Sequence, residues 1–176
     1  MTRVAAALAA LLALACAAPI RTEVVTPEPP SGLSKVALVP LRGEPMALDV
    51  PEEAPRLVTA RVASALESET HLRVVEPAQA DAVLSGAVRR FVERDGTSTG
   101  VRHPASVWIV LELHDRAGQK LWTGTYEETQ PALSEDVGSL PRAWERGFRW
   151  VTADDLATYG ARELVRELAR EVATWS

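Results

Sequence analysis

The feature that most constrains this sequence is strict alternation between positions 107 and 114. The apolar positions are Val107, Ile109, Leu111 and Leu113, and the intervening ones are Trp108, Val110, Glu112 and His114. Apolar residues at every second position place one face of a β-strand against a core. Asp115-Arg116-Ala117-Gly118 then reads as a turn, and Gln119 to Glu128 supplies a partner strand. The sequence therefore predicts an antiparallel hairpin.

Two short apolar runs and a helix precede this hairpin. A buried strand is predicted at residues 36–39 (VALV), which Pro40 stops, and a second strand is predicted at residues 72–75 (LRVV), which Pro77 ends. Residues 55–68 carry an apolar stripe at helical spacing, and Pro55 stands in the first turn, where proline is tolerated. The stripe consists of Val58, Val62, Ala65 and Leu66.

A longer strand is predicted at residues 81–93 (DAVLSGAVRRFVE). Its alternation changes phase between Leu84 and Phe91, so we expect a bulge, and Gly86 is the natural position for it.

The C-terminal segment has the pattern of an amphipathic helix. Thr152 and Asp155 resemble a capping box, and Gly160 predicts a kink or a break. The apolar face consists of Ala157, Ala161, Leu164, Val165, Leu168, Val172 and Trp175. The opposite side carries a row of arginines (162, 166, 170) beside a row of glutamates (163, 167, 171), which predicts i,i+3 ion pairs on a solvated face.

These elements predict an α/β or α+β fold in one small domain. We expect a mixed sheet of about five strands packed by two to three helices, in the order β-α-β-β-β-α. The formal net charge of −5 argues against nucleic-acid binding and against a polybasic membrane patch. The chain holds a single cysteine, so an intrachain disulfide and a thiolate metal site within one chain are excluded.

The N-terminus has the pattern of an export signal. Arg3 is followed by twelve apolar residues, from Val4 to Ala15, which is too short a run to span a bilayer. The sequence Leu12-Ala13-Leu14-Ala15-Cys16 resembles a bacterial lipobox. That resemblance implies cleavage before Cys16, a diacylglycerol on its thiol and acylation of the new N-terminus. Ala17 follows, with no aspartate there, which by resemblance to enteric lipoproteins implies the outer membrane, with the inner membrane left open.

Three alternatives remain open at the N-terminus: lipidation, plain secretion after an A-x-A site at Ala13-Leu14-Ala15, and an uncleaved anchor. Lipidation best explains why the sole cysteine stands directly after the cleavage position. The predicted organisation is a signal peptide at 1–15, a lipidated N-terminus and proline-rich tether at 16–33, and the domain at 34–176.

Several motifs of the domain have a family character. VALVPL at 36–41, LRVVEP at 72–77, ADAVLSGAV at 80–88 and the turn from Leu113-His114-Asp115 to Leu121-Trp122 form the series. It resembles the small α/β domains of envelope lipoproteins: the curli-secretion pore lipoprotein, the N-terminal domain of the Tol-system propeller protein, and the lipopolysaccharide-assembly lipoprotein. The resemblance implies a fold and transfers no activity.

The sequence shows no catalytic constellation, no metal site and no cofactor motif. His71, His103 and His114 lie in separate segments, and there is no Gly-rich phosphate loop or nucleophile elbow. Carboxylates cluster at Glu127-Glu128, Glu135-Asp136 and Asp154-Asp155, without calcium-loop spacing, and we expect solvated loops there.

The leading hypothesis is a non-catalytic lipoprotein that binds an envelope protein and assists assembly or transport. The alternatives are a module that binds a glycan, a lipid or peptidoglycan, and an enzyme that uses the scattered carboxylates. Residues 143–150 (AWERGFRW) combine arginine with aromatics, as interface hot spots do. Trp144 and Phe148 would share a core-facing side of a helix, which leaves Arg146 and Trp150 as the candidate partner-binding residues.

Overall fold

The computed structural model describes residues 20–25, 30–44, 49–97, 100–130 and 151–175. These residues form a single small α+β domain, in which two helices pack on one face of a seven-stranded mixed sheet. The strands are β1 (Ile20–Val24), β2 (Lys35–Leu38), β3 (Arg42–Gly43), β4 (Arg73–Val74), β5 (Ala82–Val92), β6 (Asp95–Thr97), β7 (Gly100–His103), β8 (Ser106–Asp115) and β9 (Lys120–Thr129). The helices are α1 (Ala54–Glu69) and α2 (Ala153–Thr174).

The main sheet has the strand order β1-β9-β8-β5-β2-β4, and β3 pairs with β5 beyond the end of β2. Pairings of β5 with β2 and β3, and of β2 with β4, are parallel, whereas those along β5-β8-β9-β1 are antiparallel. β6 and β7 form a separate two-stranded ribbon. The predicted mixed sheet is confirmed, and it also includes β1 and β3, whose sequences lack the alternating or continuous apolar pattern of the expected strands.

The predicted hairpin is confirmed as β8 and β9. Leu111 lies opposite Gly124, and Leu113 lies opposite Trp122. Gly124 is required by packing, since a Cβ there would lie 2.3 Å from the ring of Trp122. The indole ring of Trp122 therefore packs directly against Gly124 on the core side of the sheet.

The strand predicted at residues 81–93 is confirmed as β5, but its bulge does not lie at Gly86. The register between β5 and β8 shifts between Val88 and Arg90, and not at Gly86, where the bulge was expected. Gly86 itself pairs regularly with Leu111. Its role is close approach, because a Cβ would lie 2.2 Å from the carbonyl oxygen of Val110.

Both predicted helices are confirmed. The stripe of α1 is buried as expected, and Pro55 lies in its first turn. Thr152 and Asp155 form the capping box of α2, each side chain accepting from the other's backbone N–H. The expected kink or break at Gly160 is wrong: α2 is continuous, and the absence of a Cβ there makes room for the ring of Tyr126, whose nearest atom would lie 2.2 Å from that Cβ.

The charged rows of α2 do more than face solvent. The expected i,i+3 pairs Glu163–Arg166 and Glu167–Arg170 are present. In addition, Glu69 at the end of α1 accepts from Arg162 at 3.1 Å and from Arg166 at 2.9 Å. The hydrogen bonds that Arg166 donates to Glu69 and Glu163 hold the pKa of Arg166 above its ordinary value. These contacts fasten α2 to α1 at the edge of the core.

The region predicted as a tether contains an ordered strand. β1 lies within the 16–33 segment and pairs with β9 over its full length, from Ile20 opposite Tyr126 to Val24 opposite Trp122. Tertiary pairing with an otherwise open edge decides this structure, because IRTEV has no apolar alternation of its own.

Candidate interaction surface

The two faces of the main sheet differ in cover. The helices lie on the face that bears the buried apolar side chains. Alternate positions of the same strands point to the opposite side, which we call the outer face. It consists of Ser85, Ala87, Arg90, Trp108, Val110, Glu112, Thr123, Thr125 and Glu127. These side chains are half-buried or exposed, and most of them are polar or charged.

Trp108 lies at the centre of a charged cluster on the outer face. The guanidinium carbon of Arg89 lies 5.1 Å from the centroid of its ring, and that of Arg90 lies 5.9 Å away. These are cation–π distances. Arg90 also contacts Glu127 at 3.5 Å, and Arg89 contacts Glu44 at 3.4 Å. Tryptophan and arginine are both enriched at the hot spots of protein interfaces.

The bulge in β5 creates this cluster. In a regular strand Arg89 and Arg90 would point to opposite faces. The shift of register between Val88 and Arg90 brings both guanidinium groups to the same indole ring. The sequence signal for the cluster was available only in part: Trp108 stood in the polar phase of its strand, but the place of the bulge did not follow from the alternation.

A depression of about 320 Å³ adjoins this cluster, and Arg42, Glu44, Ser85, Arg89 and Glu112 line it. Its charges are mixed, and Glu112 also pairs with Lys120. A site for a small anion or cation would present one sign of charge, whereas alternating signs suit a protein surface of matching pattern.

Asp81, from the family-like ADAVLSGAV motif, has a structural task. Its carboxylate accepts from the backbone N–H groups of Lys35 at 3.0 Å and Ser34 at 3.3 Å, and from Arg116 at 3.2 Å. The hydrogen bond from Lys35 chiefly holds its pKa below the ordinary value, against a smaller opposing effect of desolvation. Asp81 thus fixes the start of β2 to the β8–β9 turn, beside a second depression of about 400 Å³ lined by Asp81, Asp115 and Arg116.

The two carboxylate clusters that the structure describes have partners within the fold. Glu127 and Glu128 lie on β9, not in the expected loop, where Glu127 pairs with Arg90 and Glu128 accepts from Tyr126 Oη at 2.6 Å. Asp154 binds Arg61 through both oxygens, at 2.9 and 2.8 Å. Asp155 caps α2. Each of these carboxylates holds structure together.

The histidines stand apart, as expected from their separate segments. His71 and His103 are exposed, and His114 is half-buried opposite Val83. The neighbouring Asp115 accepts from the backbone N–H of Gln119 at 2.8 Å and so closes the hairpin turn. Within the ranges that the structure describes, no three His, Cys, Asp or Glu side chains group as a metal site would require.

Several predicted residues lie outside the described residues. They are Cys16, the candidate contact residues Arg146 and Trp150, and the neighbouring Trp144, Phe148, Glu135 and Asp136. None of the described helices is long and apolar enough to cross a membrane.

No protein-family model matches this chain, and no curated protein matches it. Its fold is similar to that of solved structures. The PelC dodecamer from Paraburkholderia phytofirmans is 20% identical, with a TM-score of 0.56 over 85% of this chain and 96% of that one. A DUF330-family protein from Xanthomonas campestris is 15% identical, with a TM-score of 0.54 over 88% and 93%.

Lipoprotein B from Nitrosomonas europaea is 13% identical, with a TM-score of 0.44 over 82% of this chain and 88% of that one. The likeness to the curli, Tol and lipopolysaccharide-assembly groups stays a prediction. At these identities the similarity concerns architecture. This chain has the fold of PelC and of the DUF330-family protein over nearly the whole length of each.

Proposed function

We propose that this chain is a non-catalytic, membrane-anchored envelope lipoprotein that assists assembly or transport of an envelope component through protein–protein contacts. The observation that carries the proposal is the outer face, where Arg89 and Arg90 both lie at cation–π distance from Trp108, on the side of the sheet that neither described helix covers. Such a surface suits a macromolecular partner.

The anchor is the second part of the proposal. Cys16 follows the apolar run of a signal peptide and lies four residues before the first residue of β1. Two kinds of acyl attachment on one cysteine would give stable anchoring, which a single chain does not. The periplasmic face of the outer membrane is the proposed location, because Ala17 is not an aspartate.

The non-catalytic character rests on the uses of the titratable groups. The described carboxylates at 127, 128, 154 and 155 bind arginine, tyrosine or backbone partners. General acid–base or nucleophilic chemistry needs such groups to converge on a shared cavity. In the mixed-charge depression beside Arg89, the lining carboxylates of Glu44 and Glu112 form ion pairs with Arg89 and Lys120.

Mass spectrometry of the mature N-terminus tests the anchor. We expect a cleaved chain that begins with an acylated Cys16, and we expect Cys16→Ser to accumulate as precursor or to appear as soluble protein. An unmodified cysteine at the mature N-terminus would remove the anchor from the proposal.

Cross-linking followed by pull-down from native membranes tests the contact surface. Trp108→Ala should reduce capture of the partner, whereas Tyr159→Ala should leave it unchanged. Tyr159 is a matched control, since it is a 41% exposed aromatic residue on the helix side of the domain. Equal capture by both variants would place the partner elsewhere.

A further inference from the structure

Among the strands that the structure describes, β1 pairs only with β9, on one of its two sides. The N–H of Val25 donates to Leu121 O at 2.9 Å, so the backbone polar groups of Arg21, Glu23 and Val25 face β9. Those of Ile20, Thr22 and Val24 therefore point away from the sheet. Four of the five residues of β1 are exposed. The other edge is shorter, because β4 has two residues. β1 is thus the edge best able to accept a further strand.

The charges on β1 are arranged symmetrically. Arg21 and Glu23 lie on the outer face, one on each side of Thr22. Neither side chain makes a hydrogen bond or an ion pair with any residue that the structure describes. Charged residues on the strands next to them are paired, as in Arg90–Glu127 and Lys120–Glu112. Opposite charges flanking a central residue make a strand complementary to its own antiparallel copy.

We propose that β1 pairs antiparallel with β1 of a second copy of this chain, about a twofold axis at Thr22. In this register Arg21 lies opposite Glu23 of the second copy, and Glu23 lies opposite its Arg21. Thr22 lies opposite Thr22, and Ile20 lies opposite Val24. The two charged pairs occupy non-hydrogen-bonded positions, where side chains of facing residues approach most closely.

The backbone supports the same register. The residues whose N–H and C=O groups are free, Ile20, Thr22 and Val24, become the hydrogen-bonded pairs of the new ladder. All outer-face side chains stay on one side, so the two sheets join into one continuous sheet. An interface in which each copy contributes the same patch closes as a dimer and does not propagate.

Pairing of β1 with β4 of another copy is the competing arrangement. If the outer faces of the two sheets stay on the same side, this pairing places Glu23 opposite Arg73 and Arg21 opposite Val75. It therefore offers one charged pair, whereas the twofold arrangement offers two. β4 is also limited by Pro77, which follows three residues after Val74. The twofold arrangement is therefore favoured.

Oxidative trapping tests the proposal without relying on capture of an envelope partner. A five-residue ladder buries little area, so association is weak and a covalent readout is needed. The full chain, purified in detergent, carries Thr22→Cys and is oxidised with copper phenanthroline. The two Cα atoms would be about 5.5 Å apart, within disulfide range. We expect a covalent dimer on non-reducing gels, confirmed by intact mass.

Two controls define the background of this experiment. Thr125→Cys, on the inner strand β9, should stay monomeric, and the unsubstituted chain reports any dimer formed through Cys16. If Thr22→Cys gives no more dimer than these controls, the proposal is overturned.

Charge reversal tests the register. Added to Thr22→Cys, Glu23→Arg should reduce dimer yield by about tenfold, because arginines then face each other twice. Further addition of Arg21→Glu should restore the yield, since the symmetric pattern returns with its signs exchanged. Failure of this rescue while the thermal melt stays unchanged contradicts the register. Loss of dimer on Arg73→Glu instead would establish the β1–β4 arrangement and overturn ours.

Discussion

The two faces of the main sheet are built from the same strands and differ in almost every property. On the core face, side chains such as Ile109, Leu111 and Tyr126 are fully buried beneath the helices. One residue along each strand, Trp108, Val110 and Thr125 belong to the outer face and are half-buried. The strand period of two alone separates these environments. The core face therefore contributes most to stability, and substitutions on the outer face should change the free energy of unfolding less.

The strongest test of this contrast is Leu168→Ala. Leu168 is fully buried in the layer between α2 and the sheet. Its truncation should lower the free energy of unfolding by about 2–5 kcal/mol, since both transfer energy and a cavity are involved. Chemical denaturation measures the loss. Val172→Ala, at a half-buried position of the same helix face, should lose less. A loss under about 0.5 kcal/mol for Leu168→Ala would contradict the packing.

Gly160→Ala sets local preference against tertiary packing. Alanine in place of glycine favours a helix by about 1 kcal/mol. At this position the new Cβ would lie 2.2 Å from a ring carbon of Tyr126, so we expect a net loss of about 1–3 kcal/mol. Thr158→Ala, on a half-buried position of α2, should be neutral or slightly stabilising. A higher melting temperature for Gly160→Ala would show that the ring can move at no cost.

Asp81→Asn should cost about 1 kcal/mol at neutral pH, because a charged acceptor of backbone hydrogen bonds is lost. The pKa of Asp81 is lower in the folded than in the unfolded chain. Its contribution is therefore complete above the unfolded value of about 4 and disappears as the pH falls through the lowered folded value.

Thermal melts across this pH range measure the Asp81 effect. The difference between the two proteins should be constant from pH 7 to about pH 5 and should close in stronger acid. Glu52→Gln, an exposed carboxylate on the loop before α1, should show no difference at any pH. A difference that persists below about pH 2 would assign the loss to packing and not to charge.

The smallest effect on stability is expected for Trp150→Ala and Arg146→Ala. If these residues contact a partner, each variant should reduce partner capture while its melting temperature stays within about 1 °C of the parent, as for surface substitutions generally. Calorimetry together with pull-down measures both quantities. A fall of several degrees with intact capture would assign the residue to the core.

Local signals in the sequence predicted most of the fold. The hairpin at 106–129, the capping box at Thr152 and the stripe of α1 depend on neighbours in the chain, and all three are confirmed. β1 could not be predicted, because its structure depends on the open edge of β9, a hundred residues away in the sequence. Tertiary context overrides weak local preference in such strands.

The glycines show why other details of the packing could not be predicted from the sequence. Local sequence rules for glycine predict a bulge at Gly86 and a kink at Gly160. In the structure both make room for a neighbour, the carbonyl of Val110 and the ring of Tyr126. The cluster around Trp108 could not be predicted for a similar reason. It depends on the position of the bulge in β5, which the alternation alone does not determine.

The short spacing between Cys16 and β1 limits how far the domain can travel. With lipid on Cys16, the four peptide steps to Ile20 span at most about 14 Å when fully extended. As long as β1 stays in the sheet, this spacing keeps the domain next to the bilayer surface. A binding partner would then have to lie in that membrane or come to it. Release of β1 from the sheet would lengthen the connection between the lipid and the domain.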